Sequence, residues 1–425
     1  MLIYMILWIY QLFVHIPCKL LLLIFKNLKK IITPTIWVLS LVSLFTDMAS
    51  EMLYPIMPIF LKSIGFSFLL IGVLEGFAEA TAGLSKGYFG KQSDITGKRL
   101  PFVRFGYALS ALSKPMMAAF VFPLWIFLAR TIDRLGKGLR TGARDAMLSD
   151  ECSKENKGRV FGFHRSLDTM GAVLGPALAL IYLYYHPGNY KMLFLIAFLP
   201  GVAAIACTYF IKEKKHFVPT TVNKKNNFFQ IFSYWKTSEN NYRKLMIGLL
   251  AFALFNSSDV FLLLKIKEAG LNDTIVIAVY IFYNLSYALI AYPVGILADK
   301  IGLKKIFITG LILFSIVYAG FAMSNNLWVF AFLFFLYSVY AAATEGISKA
   351  WISNIVPQTE TATAIGTYAG LQSICALVAS SLTGFLWFKY GGYTTFMITS
   401  GVTVLVVAYL LIIKVHSSHS KEIPL

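Results

Sequence analysis

An apolar stretch that begins at Pro123 carries Arg130, Asp133, Arg134, Lys137, Arg140, Arg144 and Asp145. If that stretch is helical, spacings of three and four set Asp133, Lys137, Arg140 and Arg144 on one face. Two further apolar stretches carry acids one turn apart, Asp47 with Glu51 and Glu75 with Glu79, and another carries His164, Arg165 and Asp168. Charges inside apolar sequence are costly and tend to face a cavity or a partner. A carboxylate that meets an arginine in only one of two conformations can take up and release a proton as the conformation changes. On this reading Asp47, Glu51 and Asp168 work against Arg130 and Arg134. The plainer alternative is a static network of buried ion pairs that fixes helix packing. Catalysis has thinner support. His164 and Asp168 are four apart and could serve as base and orienting group, but no nucleophile or metal set accompanies them.

The elements that must position these groups follow from composition. The chain has 425 residues, 58% hydrophobic and 14% charged, with mean hydropathy +0.69. A water-soluble domain carries about 25% charged residues, so a bilayer is the natural solvent. Spanning helices need about 20 mostly apolar residues each. Twelve stretches qualify: 35–62, 67–89, 101–121, 123–147, 159–185, 190–211, 244–266, 272–297, 303–323, 326–354, 359–386 and 391–414. The expected fold is all-α, with twelve transmembrane helices in two six-helix bundles, 33–211 and 244–414. Counting from Pro123, Arg130 and Arg134 lie roughly 10 and 16 Å deep, near mid-membrane.

Net charge +18 could suggest nucleic acid, but the Lys and Arg residues crowd into alternate loops, 85–104, 134–159, 212–244 and 300–305, and into the tail. That alternation places the core's termini and the long loop in the cytoplasm. Residues 212–243 then form a cytoplasmic linker and 415–425 a cytoplasmic tail. Residues 1–32 are an apolar extension ending in lysines, which suits a helix lying in the inner leaflet. Cys18, Cys152, Cys207 and Cys375 fit no metal or disulfide spacing. There is no Gly-x-x-x-x-Gly-Lys-[Ser/Thr] phosphate loop, and no cofactor is expected.

The two halves repeat. Gly90, Asp94, Gly97 and the basic Lys98–Arg99 reappear as Gly295, Asp299, Gly302 and Lys304–Lys305, about 205 residues later. Gly65 matches Gly270, Leu124-Trp125 matches Leu327-Trp328, and Gly162 with Leu167 matches Gly366 with Leu371. Repeated halves in a membrane chain enclose a central site, reached from each side in turn as one half rocks on the other.

These residues carry a resemblance. Over roughly 34–414 the chain resembles the major facilitator superfamily. Gly295 to Lys305 is similar to that superfamily's signature between its eighth and ninth helices. Gly90 to Arg99 resembles the signature between the second and third, with Lys91 and Gln92 where the family prefers apolar residues. The resemblance implies that Gly90, Asp94, Gly97, Arg99, Gly295, Asp299 and Gly302 form a latch for the outward-open state. Arg130, Gly136 and Gly138 look like the fourth-helix signature, whose arginine is linked to proton coupling. Arg134 stands where that signature has glycine. Gly171, Gly175 and Pro176 look like the fifth-helix antiporter signature and imply a kink there, although the paired glycines that often follow are missing. The set Ser50-Glu51-Met52, Asp133–Arg134, Arg144–Asp145 and Phe161-Gly162-Phe163-His164 resembles an uncharacterised bacterial branch, with Ala143 in place of that branch's proline.

The expected activity is secondary active transport by alternating access, proton-coupled and exporting a small organic molecule, with an inner-membrane location. The alternative cargo is an anionic solute such as a siderophore. A membrane-embedded enzyme or a sensor is the reading from another class. Coupling or cavity residues would be Asp47, Glu51, Arg130, Asp133, Arg134 and Asp168. Partners would be the solute, protons and lipid, with no nucleic acid, and the chain would be a monomer. In the second half, Glu345 and Lys349 are spaced to pair with each other. Asn256 to Asp259 and Gln372 lie within spans, and Tyr280, Phe282, Tyr283 and Tyr287 could line a cavity.

Overall fold

Lipid offers the backbone no hydrogen-bond partner, so a chain this apolar satisfies its peptide groups within helices. The computed structural model describes residues 31–54, 57, 60–61, 64–65, 68–213, 230–271 and 273–413, and all regular structure among them is helical. Residues 1–30 of the extension expected over 1–32, linker residues 214–229 and the tail 415–425 lie outside the described residues, as do the side chains of Glu75 and Glu79.

The first helices are α1 (Pro34–Glu51), α2 (Phe68–Thr96), α3 (Leu100–Ala119), α4 (Pro123–Asp150), α5 (Lys157–Tyr185) and α6 (Tyr190–Thr208). They are followed by α7 (Gln230–Thr237), α8 (Asn240–Ala253), α9 (Val260–Glu268), α10 (Asp273–Ile301), α11 (Leu303–Met323), α12 (Leu327–Ile355) and α13 (Thr361–Ile412). Helix starts are encoded locally. The Thr33 side chain accepts from the Ile36 N–H with Pro34 at the first helical position, and Asn326 accepts from the Trp328 N–H at 2.8 Å. Glu213, at the head of the linker, accepts from the Leu100 N–H at 3.0 Å and so caps α3. Gly391, with φ of 79°, interrupts α13 and makes two helices of it, as expected from the break between 386 and 391.

One span differs from expectation. The stretch 244–266 is not a single helix: α8 ends at Ala253 and α9 begins at Val260. Asn256, Ser257, Ser258 and Asp259 occupy the break. Their short polar side chains compete for backbone hydrogen bonds and disfavour helix interiors. Neighbours take up the freed groups: the Ser258 N–H donates to the Ser380 hydroxyl, and the Asp259 carboxylate accepts from the Tyr337 hydroxyl at 2.7 Å.

Among the described residues, six helices are long and apolar enough to cross a membrane: Lys154–Tyr185, Tyr190–Thr208, Ala278–Ile301, Leu303–Met323, Leu327–Ile355 and Gln358–Ile412. The 28 residues of α4 give it the length, but its charges keep it out of that class. Burial is inverted relative to a soluble protein. Phe388 is 93% exposed and Leu405 70%, whereas Arg130 is 5% exposed. Apolar side chains face the surrounding lipid and charges face inward, as a bilayer requires.

Helices before the linker pack α1 on α5 and α6, α3 on α4 and α6, and α2 on α4. Helices after it pack α10 on α12, α11 on α12 and α13, and α8 on α13. Two main seams join these sets, α5 against α10 and α2 against α13, with smaller contacts of α12 on α5 and of α13 on α4. Both seams need a missing side chain. A Cβ on Gly90 would lie 2.5 Å from the Ala362 carbonyl oxygen, and one on Gly295 would lie 2.4 Å from that of Gly158. Gly295→Val is therefore expected to force the seam apart and cost about 1–3 kcal/mol. Thermal unfolding of the detergent-solubilised protein reads this, and an unchanged midpoint would refute the backbone-to-backbone packing.

The described residues with positive φ are all glycines and fall into three pairs, Gly65 with Gly270, Gly97 with Gly302, and Gly188 with Gly391. At Gly97 (φ 62°) and Gly302 (φ 104°) the chain turns directly between two helices, in a region that L side chains rarely adopt. The repeat legible in the sequence is thus also a repeat of backbone conformation.

Candidate functional site

The charged face of α4 forms the wall of two cavities. The first, about 550 Å³, is lined by Arg130, Asp133, Arg134 and Lys137 of α4, by Ser50, Glu51 and Tyr54 at the end of α1, and by Pro176 and Leu180 of α5. The α8–α9 break supplies Ser258 and Asp259, and α10 supplies Tyr280 and Ile281. The second, about 280 Å³, is lined by Lys137, Arg140, Thr141 and Arg144, by Asp47 of α1, and by His164, Arg165 and Asp168 of α5. Glu345 and Lys349 of α12 and Gln372 of α13 close it. Lys137 borders both cavities, and α1, α4 and α5 each contribute to the two in the same axial order.

Behind the first cavity lies a cation that sequence reasoning overlooked. Lys114 of α3, 1% exposed, places its Nζ 2.8 Å from Asp133 Oδ1. Arg130 approaches the other oxygen of Asp133 at 3.6 Å. The signal was available, since a lone lysine halfway along the apolar stretch 101–121 requires a buried partner. Glu51 and Asp47 are half-buried, and among the described residues neither carboxylate has a hydrogen-bond or ion-pair partner.

Asp168 is placed differently from expectation. It pairs with Arg165, one turn back on its own helix, at 2.8 Å and accepts a hydrogen bond from Ser43. Ser43 in turn accepts from Arg144 at 3.1 Å. In this conformation Asp168 does not meet Arg130 or Arg134, which border the other cavity. The expected pair Glu345–Lys349 is not formed either. Both side chains reach to helices before the linker instead, Glu345 to Arg165 of α5 and Lys349 to Asp145 of α4 at 2.7 Å. Asp145 is fully buried and also holds Arg144 at 2.8 Å, and a buried carboxylate recruits whatever cations will neutralise it. Of the expected tyrosines, Tyr280 lines the first cavity, while Tyr287 accepts from Arg165 at 2.6 Å and stacks on Tyr283.

The repeated loops lie at one end of the molecule, where each aspartate sits at the N-terminus of a helix across a seam. Asp94 accepts from the N–H and the hydroxyl of Thr363, both at 2.7 Å, near the start of α13. Asp299 accepts from the N–H groups of Gly158 at 2.7 Å and Arg159 at 2.9 Å, at the start of α5. Arg99 adds a bond to the Gln358 carbonyl at 3.1 Å and approaches Asp94 and Asp150 at 3.4 and 3.3 Å. Carboxylates are favoured at helix N-termini, where unpaired N–H groups and the helix dipole converge. Lys157 bridges the same end by donating to the Ser149 hydroxyl and the Ser353 carbonyl, each at 2.8 Å. Gly171 and Gly175 face α1, where a Cβ would lie 2.4 Å from the Leu44 carbonyl oxygen and 2.5 Å from that of Met48, and α5 continues through Pro176.

Between α4 and α5, Cys152 is a free thiol that burial pushes up to about 12, which makes it a poor nucleophile. Among the described residues no group of three His, Cys, Asp or Glu could hold a metal ion.

Comparison with known proteins accords with this architecture. The chain is 32% identical to an uncharacterised MFS-type transporter of Methanocaldococcus jannaschii over 90% of its own length and 95% of the relative's. It is 21% identical to a multi-drug resistance efflux pump homologue of Lactococcus lactis over 85% of this chain and 90% of that one. Among solved structures, the human organic anion transporter MFSD10 superposes with a TM-score of 0.74 at 16% identity, covering 89% of this chain and all of the other. The family model of the Major Facilitator Superfamily matches residues 39–283 and 244–424. With inward-facing charges, paired loops and that match, the chain belongs to the Major Facilitator Superfamily, whose members are multi-pass membrane transporters working by alternating access.

Proposed function

We propose that the chain is a twelve-span, proton-coupled exporter of a small organic molecule in the inner membrane, acting as a monomer. Its bundles are 33–211 and 244–414, joined by the linker 212–243. Basic residues around both loops put the loop end in the cytoplasm, so the conformation described here is sealed on the cytoplasmic side. The observation that carries this reading is the reciprocal capping by Asp94 and Asp299, which ties that end shut while a 550 Å³ cavity remains further along the axis. Release of both caps would open the cytoplasmic end. The cavity's mixture of Tyr280, Leu180 and Ile281 with charged groups suits an amphipathic organic cargo. The similarity to a multi-drug efflux pump homologue supports export.

Glu51 and Asp47 are the coupling groups of this proposal. They are one turn apart, border the two cavities, and have no fixed counter-ion among the described residues. Asp168, held by Arg165 and Ser43, takes a structural part. The test uses hits from a metabolite and drug panel run on a deletion strain, followed by counterflow in proteoliposomes. Wild-type protein should exchange labelled solute and drive proton flux with it. Asp47→Asn or Glu51→Gln should lower the flux about tenfold or more while exchange persists. Flux unchanged in both variants and in Asp168→Asn removes proton coupling, and absence of exchange removes the carrier reading. A second reading, transport of an anionic solute, is favoured by the cations of the second cavity.

A further inference from the structure

Four of the cations around the second cavity are engaged, Lys86 by the Ser373 hydroxyl at 3.1 Å. Arg165 is engaged by Asp168 and Glu345, and Arg144 and Lys349 by Asp145. Lys137 and Arg140 are not committed: neither has a carboxylate partner among the described residues. Arg140 is 5% exposed, rests 4.5 Å over the Tyr107 ring and donates one bond to Ser110, and its Nε has no partner. His164 is 4% exposed, lines the same cavity, and neither ring nitrogen has a partner. A buried N–H left without an acceptor costs free energy that a bound acceptor would recover. Among the described residues, Asp47 lines this cavity beside these donors, and Glu51 of the first cavity also lies near Lys137. Among the described lining residues six cations stand against three carboxylates, in a space that is small and already polar.

The first cavity has the complementary character. It is twice as large, Tyr54, Leu180, Leu263, Tyr280 and Ile281 give it an apolar wall, and it begins where the second ends, at Lys137. From the matched order along α1, α4 and α5 we infer that the two cavities are one site for an organic acid. An oxyanion head, carboxylate or phosphate, sits between Lys137, Arg140 and His164, and an apolar or aromatic body fills the 550 Å³ space beside Tyr280. This inference rests on the carrier reading for its biological meaning, but the binding it names does not require transport.

Calorimetry on the full chain in detergent tests it with four probes: 4-phenylbutyrate, its neutral amide, acetate and inorganic phosphate. The acid should bind about tenfold or more tightly than both the amide, which lacks the charge, and acetate, which lacks the body. Phosphate binding that competes with the acid would assign the head site to phosphate esters as well as carboxylates, whereas phosphate without competition confines it to carboxylates. Lys137→Gln and Arg140→Gln should each weaken the acid about tenfold and leave the amide within about twofold. Lys137 is exposed and its side chain makes no hydrogen bond among the described residues, so its variant should fold even if loss of the Arg140 contacts disturbs α3. No measurable binding of the acid, equal affinity for acid and amide, or undiminished acid binding in Lys137→Gln overturns the inference. A protein that binds the acid but fails to exchange it in counterflow would instead refute the carrier reading and leave the site standing.

Discussion

Asp133→Ala should be among the most damaging single substitutions in the chain, costing about 3–5 kcal/mol of stability. The reason lies in what it leaves behind. Lys114 is fully enclosed between α3 and α4, and its ammonium is held by Asp133 at 2.8 Å, with the Ser50 hydroxyl a distant second partner at 3.4 Å. Without the carboxylate, a buried cation is left facing Arg130, which had shared the same aspartate at 3.6 Å. The converse change should cost less. Lys114→Met leaves Asp133 buried but still beside Arg130, so part of the neutralisation survives. Removing both charges with Lys114→Met and Asp133→Leu should recover most of the loss, because apolar replacements of a buried pair are often near neutral. Unfolding midpoints in detergent should therefore rank Asp133→Ala lowest, Lys114→Met next and the double variant close to wild type. A double variant as unstable as Asp133→Ala would show that the pair does more than neutralise charge.

The second large effect concerns the closed end rather than stability. Asp299→Ala removes the acceptor for the Gly158 and Arg159 N–H groups and the counter-ion of Arg159. Charge-assisted hydrogen bonds of this kind contribute about 1.5–3 kcal/mol each, and water at the opened loop returns part of that. A net bias of about 2 kcal/mol would move the closed-to-open ratio roughly thirtyfold toward the state open at the loop end. Spin labels placed on the two sides of the α5–α10 seam should report a longer distance population in the variant. Asp94→Ala should do the same across the α2–α13 seam, where Thr363 loses both of its bonds. Distance distributions identical to wild type in both variants would refute a clasp role for either aspartate.

Much of this was legible before any coordinates. The loop aspartates, their glycines and the α4 charges were named from spacing alone, because a positive-φ turn and a charge in apolar sequence each admit few explanations. What escaped was partner choice. Glu345 and Lys349 satisfy the helix i,i+4 rule, yet each reaches another helix for a more deeply buried counter-charge, and sequence periodicity carries no information about which helix lies opposite. Depth alone sets Asp168 against Arg130 and Arg134, whereas a local spacing of three and the Ser43 hydroxyl decide its contacts in this conformation. The break at Asn256–Asp259 was visible as a run of four polar residues, but the length of the surrounding apolar stretch outweighed it. Lys114 is inconspicuous in the sequence because a single lysine in an otherwise apolar helix forms no pattern.

The two aspartate clasps are crossed. The loop after α2 fastens to α13, and the loop after α10 fastens to α5. Two fastenings set apart resist twisting in a way that one cannot. With either alone, the joined helices could swivel about it and leak. With both, the end can part only when the two let go together. On the proposed latch role, opening should be an all-or-none event, and small solutes and ions should find no half-open passage between one stroke and the next.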